Sequence, residues 1–274
     1  MFSQDQHGHA RFGELRHYAL VMKISIVTAT YNSQATVEDT LTCIREQRHP
    51  DVEHIIVDGG SKDGTLGIVR RFPHVARVVS GKDRGIYDAM NKGIGLATGD
   101  VIGILNSDDI YADDSVLSDV AKAFEDPAVS TFYADLQYVH AEDTSRVQRT
   151  WRSGRFKRGK FYYGWMPPHP TFFVRRHIYE KCGNFNTTLR SAADYELMLR
   201  VLLKYGARVQ YIPEVLVKMR AGGMSNASLK NRFRANKEDA MAWKLNQLKP
   251  YFFTMWLKPL RKVLQFNPIN IWQK

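Results

Sequence analysis

Val101-Ile102-Gly103-Ile104-Leu105-Asn106-Ser107-Asp108-Asp109 runs from apolar residues straight into four polar ones, ending in adjacent carboxylates. The apolar part is too short for a helix and reads as a buried strand, and the polar part marks where that strand stops. Outward from it the same grammar recurs. Short β-branched runs at 23–30, 54–58, 76–80, 101–106 and 130–139 alternate with amphipathic stretches near 34–47, 62–72, 86–97 and 114–125. That alternation predicts an α/β fold, a mostly parallel sheet flanked by helices. Beyond residue 145 the pattern loosens into a basic and aromatic stretch, the kinked Met166-Pro167-Pro168-His169-Pro170, strands at 171–174 and 208–212, and a helix at 192–205. From Ser228 onward it reads as two basic amphipathic helices interrupted near Pro250 and Pro259.

Ligands of open α/β sheets bind outside the carboxyl ends of the strands. Those ends are polar throughout: Thr28-Ala29-Thr30-Tyr31-Asn32, Asp58-Gly59-Gly60-Ser61, Asp83-Arg84-Gly85 and Asn106-Ser107-Asp108-Asp109. Adjacent carboxylates repel each other unless a proton or a cation neutralises one of them. A hard divalent ion, Mg²⁺ or Mn²⁺, that keeps positions open for phosphate oxygens is the natural partner of Asp108 and Asp109. Helix capping is the plainer role for such a pair. The Asp58 turn fits a nucleoside edge or an ordinary strand-to-helix connection, and the charged segment from Asp83 to Gly93 resembles a surface helix as well as a site.

Composition bounds the classes. The 274 residues, 44% of them apolar, are enough for one substantial core. Cys43 and Cys182 form no disulfide framework or CxxC pair, which suits a reducing compartment. No run approaches the roughly 18 to 20 apolar residues of a spanning helix. The formal charge of +11 is uneven: residues 1–145 carry 13 Lys and Arg against 22 Asp and Glu, whereas 146–176 carry nine bases and no acid. An acidic first half disfavours nucleic acid, and the basic segments suit phosphates or anionic lipid.

On Ile26-Val27-Thr28-Ala29-Thr30-Tyr31-Asn32, Ile56-Val57-Asp58-Gly59-Gly60-Ser61-Lys62-Asp63-Gly64-Thr65, the Gly85 to Gly93 segment, Leu105-Asn106-Ser107-Asp108-Asp109 and Ala193-Asp194-Tyr195-Glu196-Leu197-Met198-Leu199-Arg200, taken in that order, the chain resembles the inverting family 2 glycosyltransferases of GT-A fold, bacterial polysaccharide-building enzymes in particular. The resemblance implies a nucleotide diphosphate sugar donor, Mn²⁺ or Mg²⁺, and a glycan or polyprenyl-linked acceptor. It gives Thr30, Tyr31 and Asp58 to the base, and Asp83 and Arg84 to the ribose and diphosphate. Asn106, Ser107 and Asp108 fall to the nucleotide sugar, Asp108 and Asp109 to the metal. Asn106 stands where many relatives carry the first Asp of that motif. Asp194, at the start of a helix whose apolar face includes Leu197, Val201 and Leu202, becomes the general base, with Trp165 and His169 on the acceptor side.

The resulting organisation is an extension over 1–22, disordered or non-native, then a catalytic domain over 23–217 with its nucleotide half at 23–140 and its acceptor half at 141–217. A basic helical tail follows over 218–274. Residues 249–262 mix aromatics with cations as interfacial segments do, so the expected location is cytoplasmic, peripheral on the inner face of the plasma membrane. Two other classes compete: a sugar nucleotidyltransferase, and a non-enzymatic membrane binder resting on the tail. A dinucleotide oxidoreductase is disfavoured because no GxGxxG follows a strand.

Overall fold

The structure is a computed structural model that describes residues 21–222 and 229–264; the expected extension lies, but for its last two residues, outside them. At its centre β1 (Ile24–Thr30) is buried along its whole length. It pairs in parallel with β2 (Val52–Asp58) on one side and β4 (Val101–Ile104) on the other, and β2 carries β3 (Val75–Ser80) at the edge. A strand covered on both faces has no solvent side, so its buried hydroxyls bond within the sheet, Ser25 to Glu53 at 2.6 Å and Thr28 to His54 at 3.0 Å. Along β1 alternate side chains serve opposite layers. Val27 and Ala29 pack with Ala89, Met90 and Ile94 of α3 (Ile86–Leu96), while Ile24 and Ile26 pack with Ile44 of α1 (Val37–Arg45) and with Val116, Leu117 and Val120 of α4 (Val116–Ala123). Gly93 allows the first of these contacts, because a Cβ there would run into Val27. The short α2 (Thr65–Val69) completes the connection from β2 to β3.

Beyond β4 the sheet becomes mixed. Its order is β3-β2-β1-β4-β8-β6-β9-β5, with β5 (Asp109–Tyr111), β6 (Thr131–Val139), β8 (Phe173–Arg175) and β9 (Val209–Arg220), while β7 (Val147–Trp151) pairs with β6 off this path. The expected strand at 101–106 stops at Ile104, and Asp109 already belongs to β5, paired with β9 at the opposite edge. Asn106, Ser107 and Asp108 therefore cross the end of the sheet without strand partners of their own.

Several elements differ from expectation. β9 runs well past 212 because a register shift opposite Tyr133 and Asp135 absorbs Pro213, a residue that reads as a stop since it offers no N–H to the ladder. The helix at 192–205 divides into α6 (Ala193–Met198) and a π-helical turn, Leu199–Lys204, and α5 (Arg176–Cys182) precedes it. β5 and β7 are too short for a periodic pattern.

The tail is packed against the domain. In α7 (Leu229–Leu245) Trp243 is fully buried and its indole N–H donates to Tyr195 Oη at 2.9 Å. The Asn246 amide donates to Glu196 O and Oε1, both at 3.1 Å. From α8 (Thr254–Leu264) Lys258 reaches Asp239 at 2.6 Å and lies 3.6 Å over the Tyr195 ring. The break near Pro250 is present, but α8 continues through Pro259, which lies on its exposed side. The proline forfeits one backbone hydrogen bond there without ending the helix.

His54 on β2 is fully buried, 3.0 Å from Thr28 Oγ1 on β1 and 3.2 Å from His74 Nε2. Burial, with His74 adding to it, lowers its pKa from 6.5 to about 3. In that window the unfolded chain takes up a proton that the folded protein refuses, so stability due to this group is full above pH 6.5 and falls as the pH drops toward 3. Its share of the slope is about 1.4 kcal/mol per pH unit at most. Urea unfolding between pH 4 and pH 7 should show a flatter acid loss in His54→Asn than in the parent protein; equal slopes would mean that other groups govern it.

Candidate active site

The ends of β1, β2 and β3 build one side of a cleft. Asn32 takes a positive φ of 50° and is held twice: its N–H donates to Ser61 Oγ at 2.8 Å and its Oδ1 accepts from Lys62 N at 2.9 Å. This leaves Tyr31 exposed at the rim. Gly59 makes room beneath it. A Cβ on Gly59 would lie 2.6 Å from Asp83 Oδ2 and 3.3 Å from the Tyr31 ring, so the aromatic ring and the carboxylate converge over bare backbone. Asp83 Oδ1 accepts from Gly85 N at 2.9 Å. Arg84 projects into solvent, tethered 3.1 Å from Asp88, which also binds Lys92 at 3.1 Å. Thr30 is buried and its Oγ1 lacks a hydrogen-bond partner.

Asp58, expected at the base, is bonded within its own turn and to the end of β3. Its carboxylate accepts from Gly60 N and Ser61 N, both at 3.0 Å, from Ser80 Oγ at 2.6 Å and from Ser61 Oγ at 2.5 Å. It is only 1% exposed. Three of these donors reach Oδ2 and one reaches Oδ1, so Asp58 ties the turn after β2 to the end of β3 and thereby sets the position of Gly59.

The segment after β4 supplies the acidic centre. Ser107 Oγ lies 2.8 Å from Ser33 Oγ, which anchors it to the end of β1. Asp108 is part-buried, and its carbonyl accepts from Arg220 Nη1 at 2.8 Å, while the same guanidinium pairs with Asp39 and donates to Ala141 O. Asp109 is fully buried, its Oδ2 receiving the Asn106 amide at 3.0 Å. Burial raises the pKa of Asp108; burial and then the charge of Asp108 raise that of Asp109 much further. The two acids are thus inequivalent: Asp108 is the more accessible, and Asp109 sits behind Asn106.

Asn106 Oδ1 and Asp109 Oδ1 are both buried without hydrogen-bond partners. Two orphan oxygens beside a half-buried carboxylate form an all-oxygen donor set that fits a hard cation. Among the described residues no group of three His, Cys, Asp or Glu could hold a metal alone. Mg²⁺ or Mn²⁺ requires only one or two carboxylates when substrate phosphates and water complete the shell.

Asp194 faces this centre from the first turn of α6. Tyr87 Oη donates to its Oδ1 at 3.2 Å, and His169 Nδ1 lies 3.5 Å from its Oδ2. His169 Nε2 in turn lies 3.5 Å from the Asn106 amide nitrogen. Burial, and then the charge of Asp194, raise the Tyr87 pKa well above 10, so the phenol stays protonated and serves as a donor. A chain of polar contacts therefore runs from Tyr87 through Asp194, His169 and Asn106 to Asp109. A small apolar recess bounded by Ile104, Phe172, Leu197 and Met198 adjoins Asp194 and limits water on that side.

Of the expected acceptor-side pair, His169 is at the site and Trp165 is not. Trp165 is 4% exposed, donates its indole N–H to Ser153 O at 2.8 Å and stacks edge-on against Phe161 and Tyr133. It is a core residue that offers no face to a sugar. Tyr87 and Arg220 escaped the sequence reading. Tyr87 lay inside a quoted motif, but only the fold brings it to Asp194; Arg220 carries no local pattern at all.

A family model described as Glycosyl transferase family 2 matches residues 25–183. The PGL/p-HBAD biosynthesis glycosyltransferase of Mycobacterium tuberculosis is 27% identical over 256 residues, covering 91% of this chain and 97% of the relative. The chain superposes on S. aureus TarS residues 1–349 in complex with UDP-GlcNAc with a TM-score of 0.64 at 19% identity, covering 82% of this chain and 65% of that one; it spans 39% of a longer TarS structure. The mannosyltransferase PcManGT from Pyrobaculum calidifontis, in complex with GDP-Man and Mn²⁺, gives 0.62 at 20% identity, covering 89% and 74%. These neighbours share the GT-A nucleotide-sugar transferase fold, and with the family match over residues 25–183, more than half of its length, the chain belongs to glycosyl transferase family 2.

Proposed function

We propose that the protein transfers a sugar from a nucleotide diphosphate sugar to an acceptor hydroxyl with inversion at the anomeric carbon, in the synthesis of a bacterial cell-surface glycan. The observation that carries this reading is the Asp194 carboxylate, held by Tyr87 on one oxygen and beside His169 on the other, opposite the polar strand ends. The acceptor is a glycan or polyprenyl-linked hydroxyl, presented on the cytoplasmic face of the membrane. No described helix is long and apolar enough to cross a bilayer.

In the reaction, Asp194 accepts the acceptor's proton as the acceptor oxygen forms its bond to the anomeric carbon. The bond from that carbon to the diphosphate oxygen breaks on the opposite face, and the nucleoside diphosphate departs with the electron pair. Tyr87 and His169 fix the carboxylate so that little reorganisation accompanies the step. Tyr31, Asp83 and Arg84 hold the nucleoside and diphosphate. Asp108, with the oxygens of Asn106 and Asp109, would hold Mn²⁺ or Mg²⁺, which when bound neutralises charge on the departing diphosphate.

Two experiments test the reading. Thermal unfolding against UDP-, GDP- and dTDP-sugars, with and without Mn²⁺, should give a metal-dependent stabilisation with one nucleotide, about 2.7 kcal/mol at a hundredfold excess over Kd. Asp108→Asn should remove the metal-dependent part; stabilisation that ignores both metal and Asp108 would displace the ion from this site. In turnover assays Asp194→Asn should keep donor binding and lose about 10²- to 10⁴-fold in kcat, and Tyr87→Phe should lose about tenfold with donor binding intact, as for one oriented hydrogen bond. Normal turnover by Asp194→Asn would remove it from the base role, and release of pyrophosphate in place of nucleoside diphosphate would replace sugar transfer with nucleotidyl transfer.

A further inference from the structure

Two basic stretches far apart in sequence meet on one surface around a strip of exposed aromatic side chains. On α8 the residues alternate between two environments. Thr254 donates to Tyr162 O at 2.6 Å, Met255 packs on the core and Lys258 reaches Asp239, whereas Trp256 and Leu260, one turn apart, face solvent. Just before the helix Phe252 is 92% exposed, and Trp256 is 75% exposed. Large aromatics in solvent are costly for a soluble protein unless something covers them.

The strip continues onto the 3₁₀ turn Arg158–Tyr163. Half-exposed Tyr163 contacts the rings of Tyr251 and Phe253, and Phe253 contacts Phe252. Gly164 ends that turn at φ 74°, and a Cβ there would run into the Lys258 backbone, so the turn and α8 are seated directly on each other. That seating brings the bases together. Arg261 Nη1 donates to Tyr163 O at 3.4 Å, and burial followed by the charges of Arg261 and Lys157 lowers the pKa of Lys160. Exposed Arg155, Lys157 and Lys249 complete the rim, and residues 146–176 contribute no acid to it.

From this juxtaposition we infer that the face formed by Phe252, Trp256, Leu260 and Tyr163 inserts into the headgroup region of an anionic bilayer, with the Lys157, Lys249 and Arg261 rim over its phosphates. Aromatic rings flanked by Lys and Arg are the composition of membrane interfaces. Binding of this kind adds buried apolar area to attraction by anionic lipid. A second copy of the chain is the poorer occupant, because a twofold contact would set this basic rim against itself. The inference shares with the proposed function only the expectation of a lipid-linked acceptor.

The test uses the full chain and vesicles of phosphatidylcholine, alone or equimolar with phosphatidylglycerol, in a sedimentation assay. The protein should pellet with the anionic vesicles and stay in solution with the neutral ones, and added salt should release it. Phe252→Ser combined with Trp256→Ser should weaken binding by more than about tenfold, with a melting curve matching the parent since both side chains are exposed. Equal binding to both vesicle types, or unchanged binding by the double variant, would overturn the proposal. A dimer in sedimentation velocity that the same variant abolishes would also overturn it, assigning the face to a second copy. The assay needs no turnover, so a failure here leaves the transferase reading standing, and a failure of sugar transfer leaves the surface standing.

Discussion

Two carboxylates packed side by side out of water are the constraint on which the site depends. Asp109 is fully buried and Asp108 partly so, and both are pushed toward their protonated forms. An arrangement of this kind lowers its free energy by gaining a cation or keeping a proton. The fold holds the pair in place from several directions. Thr40 Oγ1 donates to Asp109 O at 2.7 Å, Asn106 donates to Asp109 Oδ2, Arg220 fixes the Asp108 carbonyl, and Ser107 is anchored to Ser33. Residues from α1, β9 and the segments after β1 and β4 thus converge on Ser107, Asp108 and Asp109. Such convergence is expected where a local arrangement is unfavourable in isolation and the surroundings must impose it.

The first half of the chain was legible in the sequence because its signals are local. β1, β2 and β4 are buried and carry short apolar β-branched runs, Ile26-Val27, Ile55-Ile56-Val57 and Val101-Ile102, and the polar residues at their ends follow closely in sequence. The second half was less legible. β5 is three residues long, β9 passes through a proline at a register shift, and the helix bearing Asp194 shifts to π-helical hydrogen bonding after one and a half turns. None of these leaves a periodic trace.

The same distinction governs the site. Asp83, Arg84, Asp108, His169 and Asp194 lie where strand ends and a helix start put them. Other residues have surroundings that the sequence does not display. Asp58 resembles a free carboxylate until its four internal donors are counted, and Trp165 resembles a sugar platform until Tyr133 and Phe161 are found against it. Tyr87 and Asp194 are separated by 107 residues, and only the fold brings them together, with Tyr87 stacked on Phe185 and Asn91 of the same helix bonded to the Phe185 backbone.

Asp194 and Tyr195 are neighbours on α6 and face opposite ways. The Asp194 carboxylate meets Tyr87 and His169 in the cleft, while Tyr195 is buried under the tail, its hydroxyl accepting from Trp243 and its ring beneath Lys258 of α8. The adjacent Glu196 is bound by Asn246 on the tail side and by Arg200, whose guanidinium also caps the carbonyls of Cys182, Gly183 and Asn184. One short helix therefore carries the proposed base on one side and the attachment of the C-terminal tail on the other. Rigid packing transmits displacement without damping it. If α8 docks on a bilayer as proposed, α6 is fixed relative to that surface, and with it the carboxylate proposed to meet the acceptor hydroxyl.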